Sequence, residues 1–174
     1  MSGHSKWSTI KRKKGTEDAK RSKIFSKLSR LITVAVKEGG SNPDSNPKLR
    51  LAIDKAKYSR MPKENIERAI QKGSGEGGGG SFSEVAYEGF GPNGEAFYIK
   101  VLTDNGNRTV SEIRGIFGKH GGSLGGAGST SYIFSDLEKP SFKVESSETV
   151  INLYNDIDDH DDVQEVYVNF DIEL

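Results

Sequence analysis

The chain has 174 residues, enough for one ordinary domain or two small ones, and it contains no cysteine. The lack of cysteine excludes disulfide bonds, thiolate catalysis and cysteine-ligated zinc. No stretch of the sequence is apolar enough to span a bilayer, and no apolar signal-peptide core follows the basic start. We therefore expect a cytoplasmic protein with no membrane partner.

Positive and negative charges are separated along the chain, although the 25 Lys and Arg balance the 25 Asp and Glu. Residues 1–72 hold 19 bases and 7 acids, a net charge of +12. The remaining 102 residues hold 6 bases and 18 acids, a net charge of −12. Such a basic first part indicates a polyanionic partner, and the acidic remainder would limit indiscriminate adhesion to it.

The first predicted element is an arm followed by a helix. Residues 1–17 are polar and basic with little periodicity, which predicts an unstructured arm. Apolar residues recur at helical spacing from Ala19 to Val36, and Gly39-Gly40 then predicts the end of this helix. Five bases lie off the apolar stripe and are predicted to share the exposed surface of the helix: Lys20, Arg21, Lys23, Lys27 and Arg30.

Two shorter helices are predicted next. Asn46-Pro47 predicts the N-cap and first turn of the second helix, and Pro62 predicts the start of a third that ends at Gly73. Three short amphipathic helices cannot bury their apolar stripes alone, so residues 1–72 are predicted to form a three-helix bundle carrying the basic arm. Residues 73–81 are almost all Gly and Ser and predict a flexible linker.

Residues 82–174 change to a mixed pattern that predicts a small acidic α/β domain. Its predicted elements are strands at Val85–Phe90 and Glu95–Thr103, a helix capped by Thr109, a strand at Thr130–Ser135, a helix at Ser147–Ile157 and a strand at Val163–Phe170. The order ββαβαβ predicts an α/β plait of ferredoxin-like layering, with two helices on one face of the sheet. The whole chain is thus predicted to be α+β.

Charge points to nucleic acid as the ligand of the first domain. Residues 1–38 hold 11 bases and 3 acids, and most of these bases have no acid four residues away. A solvated helix face accounts for many charge runs, but this excess favours salt-dependent, largely sequence-independent binding to phosphates. Trp7 would either stack on a base or pin the arm to the bundle, and His4 would contact a phosphate or remain solvated.

No pattern of catalytic or metal-binding residues is present. His160 lies within Asp158–Asp162, but consecutive side chains point apart and the spacing matches no known metal loop, which favours a solvated acidic turn. Residues 89–94 fit G-x-G-x-x-G but precede a strand, so they predict a hairpin turn. Residues 121–126 would form either a helix C-cap or a phosphate nest, and the C-cap is favoured. We expect no enzyme activity, metal or cofactor.

Several long motifs resemble the YebC family, which includes the mitochondrial translational activator of cytochrome c oxidase. The sequence MSGHSKW opens the chain, AKRSKIFSKL follows at 19–28, and MPKENIERAIQKG occupies 61–73. Further matches are SNPKLRLAIDKAK at 45–57, YEGFGPNG at 87–94, NRTVSEIRGIFGKHGG at 107–122, GSTSYIF at 128–134 and DDVQEVYVNF at 161–170.

The resemblance implies a non-enzymatic protein with a helical first domain and α/β domains after it. Family members are usually described as DNA-binding transcriptional regulators, and those with the MSGHSKW start are also associated with ribosomes translating proline-rich stretches. The resemblance thus implies binding to rRNA or tRNA on the ribosome, or alternatively to duplex DNA. The matching positions are His4, Lys6, Trp7, Lys11, Arg12, Lys13 and Lys14 in the arm, with Lys20, Arg21, Lys23 and Lys27 behind it.

The chain departs from the family after Phe134. Other members carry a third α/β domain there, whereas only residues 135–146 separate Phe134 from the helix predicted at Ser147. We therefore expect either a natural short form or an engineered deletion, with the arm and bundle intact. We also expect the protein to act as a monomer. Recruitment of a partner protein by the acidic residues 82–174 is a further possible role.

Overall fold

A computed structural model of the protein describes the backbone of residues 5–75, 81–137 and 139–173, with side chains from residue 15 onward in those ranges. The chain divides into two compact units, Met1–Gly79 and Gly80–Leu174. The first is helical and the second combines helices with an antiparallel sheet, so the predicted α+β class is confirmed. Most of the predicted linker, residues 76–80, lies outside the described residues.

The first unit contains α1 (Ser5–Gly39), α2 (Pro47–Tyr58) and α3 (Lys63–Gly73). The stripe predicted for α2, Leu49, Ala52, Ile53 and Ala56, is buried, and it packs with α1 and α3 in one apolar core. At Gly73 an added Cβ would lie 2.6 Å from Val36 Cβ, so glycine allows α3 to approach α1 closely. The predicted three-helix bundle is thus present.

The prediction of an unstructured arm is wrong for residues 5–17, because α1 begins at Ser5 and runs unbroken to Gly39. Lys and Arg are good helix formers, and the single Gly15 costs only about 1 kcal/mol relative to alanine. A helix without an apolar stripe therefore extends the amphipathic part toward the N-terminus. The predicted stop is confirmed, since Gly40 takes a φ of 88° and its N–H donates to the Val36 carbonyl.

The second unit contains β1 (Ser83–Phe90), β2 (Ala96–Thr103), α4 (Gly106–Lys119), β3 (Ser123–Gly125), α5 (Glu148–Asp158) and β4 (Val163–Val168). The sheet order is β3-β1-β2-β4, and each neighbouring pair is antiparallel. The chain order ββαβαβ is the predicted one, and it differs from the βαββαβ path of ferredoxin-like domains. This unit therefore shares with ferredoxin-like domains the layering of helices on a sheet, but not the order in which the chain connects the elements.

Both faces of the sheet are at least partly covered. Phe97 and Ile99 of β2 pack with Ile113 and Phe117 of α4 and with Leu153 of α5.

The described residues include no helix long and apolar enough to cross a membrane.

The strand predicted at Thr130–Ser135 is wrong, because these residues form turns. Ile133 and Phe134 are 2% and 3% exposed and pack against Ala96 and Tyr98 on the sheet face opposite the helices. The segment therefore buries its apolar side chains against a face of the sheet and does not pair with a strand at the edge of the sheet.

The N-cap predicted for α4 is also wrong. Asn105, rather than Thr109, caps the helix, since its side chain accepts the Arg108 N–H at 3.1 Å. Thr109 lies inside the helix, fully buried, where its hydroxyl donates to the Asp162 carboxylate at 2.6 Å. Thr109, which the sequence suggests as part of a capping box, thus makes a contact with a residue far along the chain.

Candidate nucleic-acid interface

The basic residues of α1 form a stripe on one side of the helix. Lys20, Lys23 and Lys27 fall within about 60° of one another, and Arg30 lies about 20° beyond them, from the α-helical repeat of 3.6 residues. Arg21 lies on a different side, about 100° from Lys20. Lys20 and Arg21 are exposed on different sides of the helix, and Lys23, Lys27 and Arg30 are half-buried, so the five bases do not share one exposed surface as predicted.

The other side of α1 attaches it to the bundle. Ile32, Ala35 and Val36 are buried, and Leu28 and Leu31 pack partly against the same core. Residues 15–22, by contrast, are all exposed. The helix is therefore anchored by its C-terminal half, and Lys20 and Arg21 present their charge to solvent.

The remaining predicted binding residues fall partly outside the described structure. His4 precedes the described residues. Lys6, Trp7 and the run Lys11, Arg12, Lys13 and Lys14 belong to the α1 backbone, and their side chains are not among those described. Because α1 is continuous, Lys11 and Arg30 are about 28 Å apart along one axis at 1.5 Å per residue. Whether Trp7 stacks on a base or packs on the bundle stays a prediction.

An acidic cluster with a histidine in the second unit resembles a metal site in composition: Glu112, His160 and Asp162 bring their ligand atoms within 4.8 Å of one another. The His160 Nδ1 accepts the Asp162 N–H at 3.1 Å, and Nε2 lies 2.7 Å from a Glu112 carboxylate oxygen. Arg108 donates to Asp162 at 2.9 Å. These atoms are thus committed to hydrogen bonds that tie α4 to the start of β4.

The predicted solvated acidic turn at residues 158–162 is wrong at its last position. Asp162 is only 2% exposed, and its carboxylate receives the Arg108 guanidinium and the Thr109 hydroxyl. A buried carboxylate is stable only when it is paired and hydrogen-bonded. This residue is therefore part of the packing of the unit rather than of its solvated surface.

A backbone anion-binding nest does form in the second unit, later than the glycine run considered for one. Residues 121–122 form a helix C-cap, in which the Gly122 N–H donates to the Phe117 carbonyl at 2.9 Å. In the loop after β3, the Thr130 N–H donates to Glu88 of β1 at 2.8 Å and the Ser129 hydroxyl donates at 3.3 Å. The nest is filled by a carboxylate of the chain itself.

Glu88 is ionised in this nest in spite of its burial. Burial alone raises the pKa of its carboxyl, but hydrogen bonds from the backbone of Thr130, Gly128 and Ser131 outweigh it, and the pKa lies below its usual value. The charge stabilises the loop that covers the second face of the sheet. No local sequence signal marks Glu88, because its donors lie about 40 residues later.

We expect Glu88→Gln to lower the free energy of unfolding of the second unit by about 2 kcal/mol at pH 7, the value of hydrogen bonds to a charged acceptor. Because the folded pKa is depressed, the stabilisation is present above the unfolded value near 4.5 and is lost as pH falls through the folded pKa. Urea unfolding at pH 7 and pH 3.5 should show the deficit shrinking at low pH. The exposed Glu84 of the same strand, changed to Gln, is the control, and equal midpoints for both variants at pH 7 would refute the role of Glu88.

Comparison with known families gives consistent matches over both units. Residues 5–76 match the family described as TACO1/YebC protein N-terminal domain, and residues 82–143 match the TACO1/YebC second and third domain. A solved structure of a conserved hypothetical protein from Aquifex aeolicus is 37% identical with a TM-score of 0.80, covering 90% of this chain and 93% of that one.

Curated relatives share a name that refers to regulation. A probable transcriptional regulatory protein of Dictyoglomus thermophilum is 40% identical over 240 residues, covering 99% of this chain and 96% of the relative. One of Rubrobacter xylanophilus is 58% identical over 135 residues, covering 77% of this chain and 54% of the relative. The alignment of 240 residues exceeds the 174 of this chain by 66, so the Dictyoglomus protein carries at least that many positions without a counterpart here.

Proposed function

The chain belongs to the TACO1/YebC family, and on that premise we propose that it is a non-enzymatic, cytoplasmic gene-expression factor. It binds rRNA or tRNA on the ribosome as a monomer and eases elongation through proline-rich stretches. The first unit, with residues 1–72, makes the contact with nucleic acid. The charged stripe of α1 is the observation that carries this proposal.

The length of the stripe suits a phosphate backbone. From Lys20 to Arg30 the helix rises about 15 Å, and duplex nucleic acid carries one negative charge per about 1.7 Å of axis. Helix α1 holds 11 Lys and Arg against 3 acids, so several phosphates can be neutralised at once. Each neutralised phosphate releases condensed counterions, which supplies affinity without sequence preference.

The composition of the stripe supports a structured RNA more than a specific DNA site. Sequence readout in the major groove relies on Arg, Asn or Gln placed against base edges. The described part of α1 offers Lys, Ser and Thr around its two arginines, and no Asn or Gln. Backbone binding combined with shape recognition is the usual mode for folded RNA.

We expect the protein to co-sediment with ribosomes at moderate salt and to relieve stalling on a proline-rich reporter. Alanine at the four bases Lys11, Arg12, Lys13 and Lys14 should weaken both effects, because these residues belong to the same helix and precede the stripe along its axis. The matched control places alanine at Lys48 of α2 and at Lys63, Arg68 and Lys72 of α3, which are also exposed. Failure of the protein to co-sediment, with the four-residue variant leaving reporter translation unchanged, would rule the proposal out.

Binding to duplex DNA as a transcriptional regulator is the second candidate, favoured by the names of the relatives. A single exposed helix is narrow enough for the major groove of B-form DNA. Gel shifts on promoter fragments with excess random duplex decide this point. A promoter band that survives the competitor would support this candidate over the RNA one.

A further inference from the structure

An almost fully exposed aromatic ring lies at the end of α2. Tyr58 is 92% exposed, and Leu51, two turns earlier on the same side of the helix, is 59% exposed. The opposite side of α2 is buried in the bundle core, so the tyrosine contributes nothing to that packing. A single exposed apolar side chain is ordinary on a protein surface, but an aromatic ring this open to solvent has a face on which a base can stack.

The backbone just after Tyr58 is held in an unfavourable conformation. Helix α2 ends in a Schellman motif, in which the Met61 N–H donates to the Ala56 carbonyl and the Arg60 N–H donates to the Lys57 carbonyl, both at 2.9 Å. Arg60 takes a φ of 59° at the position where glycine is usual. Strain of this kind is typically retained where the side chain serves a function.

The Arg60 side chain is exposed, and Tyr58 lies in a basic stretch of the sequence. Residues 47–64 hold six Lys and Arg against Asp54 and Glu64. Within residues 15–75, no hydrogen bond or ion pair is formed by the guanidinium of Arg60. A guanidinium without such a partner among the described residues is available to an external anion.

We infer that Tyr58 and Arg60 form a platform for one unpaired nucleotide of RNA, with the base stacked on the ring and its phosphate bound by the guanidinium. This inference rests on the proposed function, and it adds a second, base-contacting surface to the phosphate-contacting stripe of α1. A base inside a duplex has both faces covered by its neighbours, so the platform selects single strands, loops or bulges. The positive surroundings favour RNA over an apolar protein partner, which carries no phosphate.

The test compares the full chain and its variants on a labelled single-stranded RNA and on a blunt RNA duplex with the same number of phosphates. Stacking on an aromatic side chain sets the expected effect. Tyr58→Ala should weaken single-strand binding by roughly 5- to 150-fold, the range that loss of one stacked base produces. Duplex binding should change less than about twofold, and Tyr58→Phe, which keeps the ring, should bind like wild type.

Arg60→Gly separates binding from stability. Glycine relieves the left-handed strain, so the melting temperature should stay the same or rise, while single-strand affinity falls several-fold. A glycine variant that binds as tightly as wild type would overturn the inference, as would a Tyr58→Ala variant with unchanged affinity; the ring would then be a surface for a protein.

The two claims fail in different ways. Alanine at Lys20, Lys23 and Lys27 should weaken binding to both RNAs. Loss of binding in that variant, together with an unaffected Tyr58→Ala variant, refutes the platform and leaves the proposed function standing. Unchanged binding in both variants refutes the two together.

Discussion

Alanine at Lys20, Lys23 and Lys27 together is expected to lower the affinity of the protein for single-stranded RNA by about 100-fold at 0.1 M salt, because each lost phosphate contact removes about 0.7 of a decade there. These three residues share one side of α1 over about two turns, so they can meet neighbouring phosphates on one strand. The slope of log K against log salt should fall by about 2 for single strands and slightly more for duplexes. Fluorescence anisotropy over a range of salt concentrations measures both quantities.

A matched set of bases provides the control. Lys63, Arg68 and Lys72 of α3 are also exposed and carry the same charge, so their replacement by alanine changes the net charge equally. If binding depended on net charge alone, the two triple variants would lose affinity alike. We expect the α3 variant to lose much less, and equal losses would contradict an interface centred on α1. Lys23 and Lys27 are half-buried, so their replacement could affect the fold as well as the charge. Circular dichroism checks that both variants remain folded.

Asn46→Ala is expected to cause the largest loss of stability in the first unit, because one side chain connects two helices. The Asn46 amide donates to the carbonyls of Ala35 and Gly40 at 2.8 and 2.9 Å. Its oxygen accepts the Leu49 N–H at 3.1 Å, which caps α2. A Cβ at Gly39 would lie 2.7 Å from the Asn46 amide nitrogen, so the chain leaves room for this side chain.

The expected cost is about 2–4 kcal/mol, from loss of the cap and of the donor to buried carbonyls. For a unit of this size that corresponds to a melting temperature lower by roughly 10–20 °C. Asn42→Ala is the control, since Asn42 is an exposed asparagine of the same loop that only accepts the Asp44 N–H at 2.9 Å. Thermal unfolding followed by circular dichroism tests this, and similar melting of both variants would show that Asn46 does not connect the helices.

Helices α2 and α3 were predictable because their signals are local. Asn46-Pro47 and Pro62 mark the two starts, and the buried stripe of α2 follows helical spacing directly. The N-terminal half of α1 was not predictable in this way, because its basic and polar sequence has few apolar residues at helical spacing. Its charge, and hence the candidate interface, could nevertheless be counted from the sequence.

Features that depend on distant contacts were missed. The turns at residues 130–135 depend on Glu88, which accepts the Thr130 N–H across 42 residues of sequence, whereas Thr-Ser-Tyr-Ile-Phe by itself favours a strand. Asp162 and Thr109 meet across 53 residues. The left-handed conformation of Arg60 could not be predicted for a different reason. Glycine is the usual sequence sign of a Schellman motif, and no glycine is present at this position.

Crosslinking and sequencing of RNA and DNA bound in cells tests the central claim most directly, with a variant lacking residues 1–14 as the control. We predict that the full chain crosslinks mainly to rRNA or tRNA, and that the shortened protein loses most of these crosslinks. Crosslinks mainly to DNA, or RNA crosslinks unaffected by the deletion, would contradict the assignment of the function to RNA binding by the basic helix.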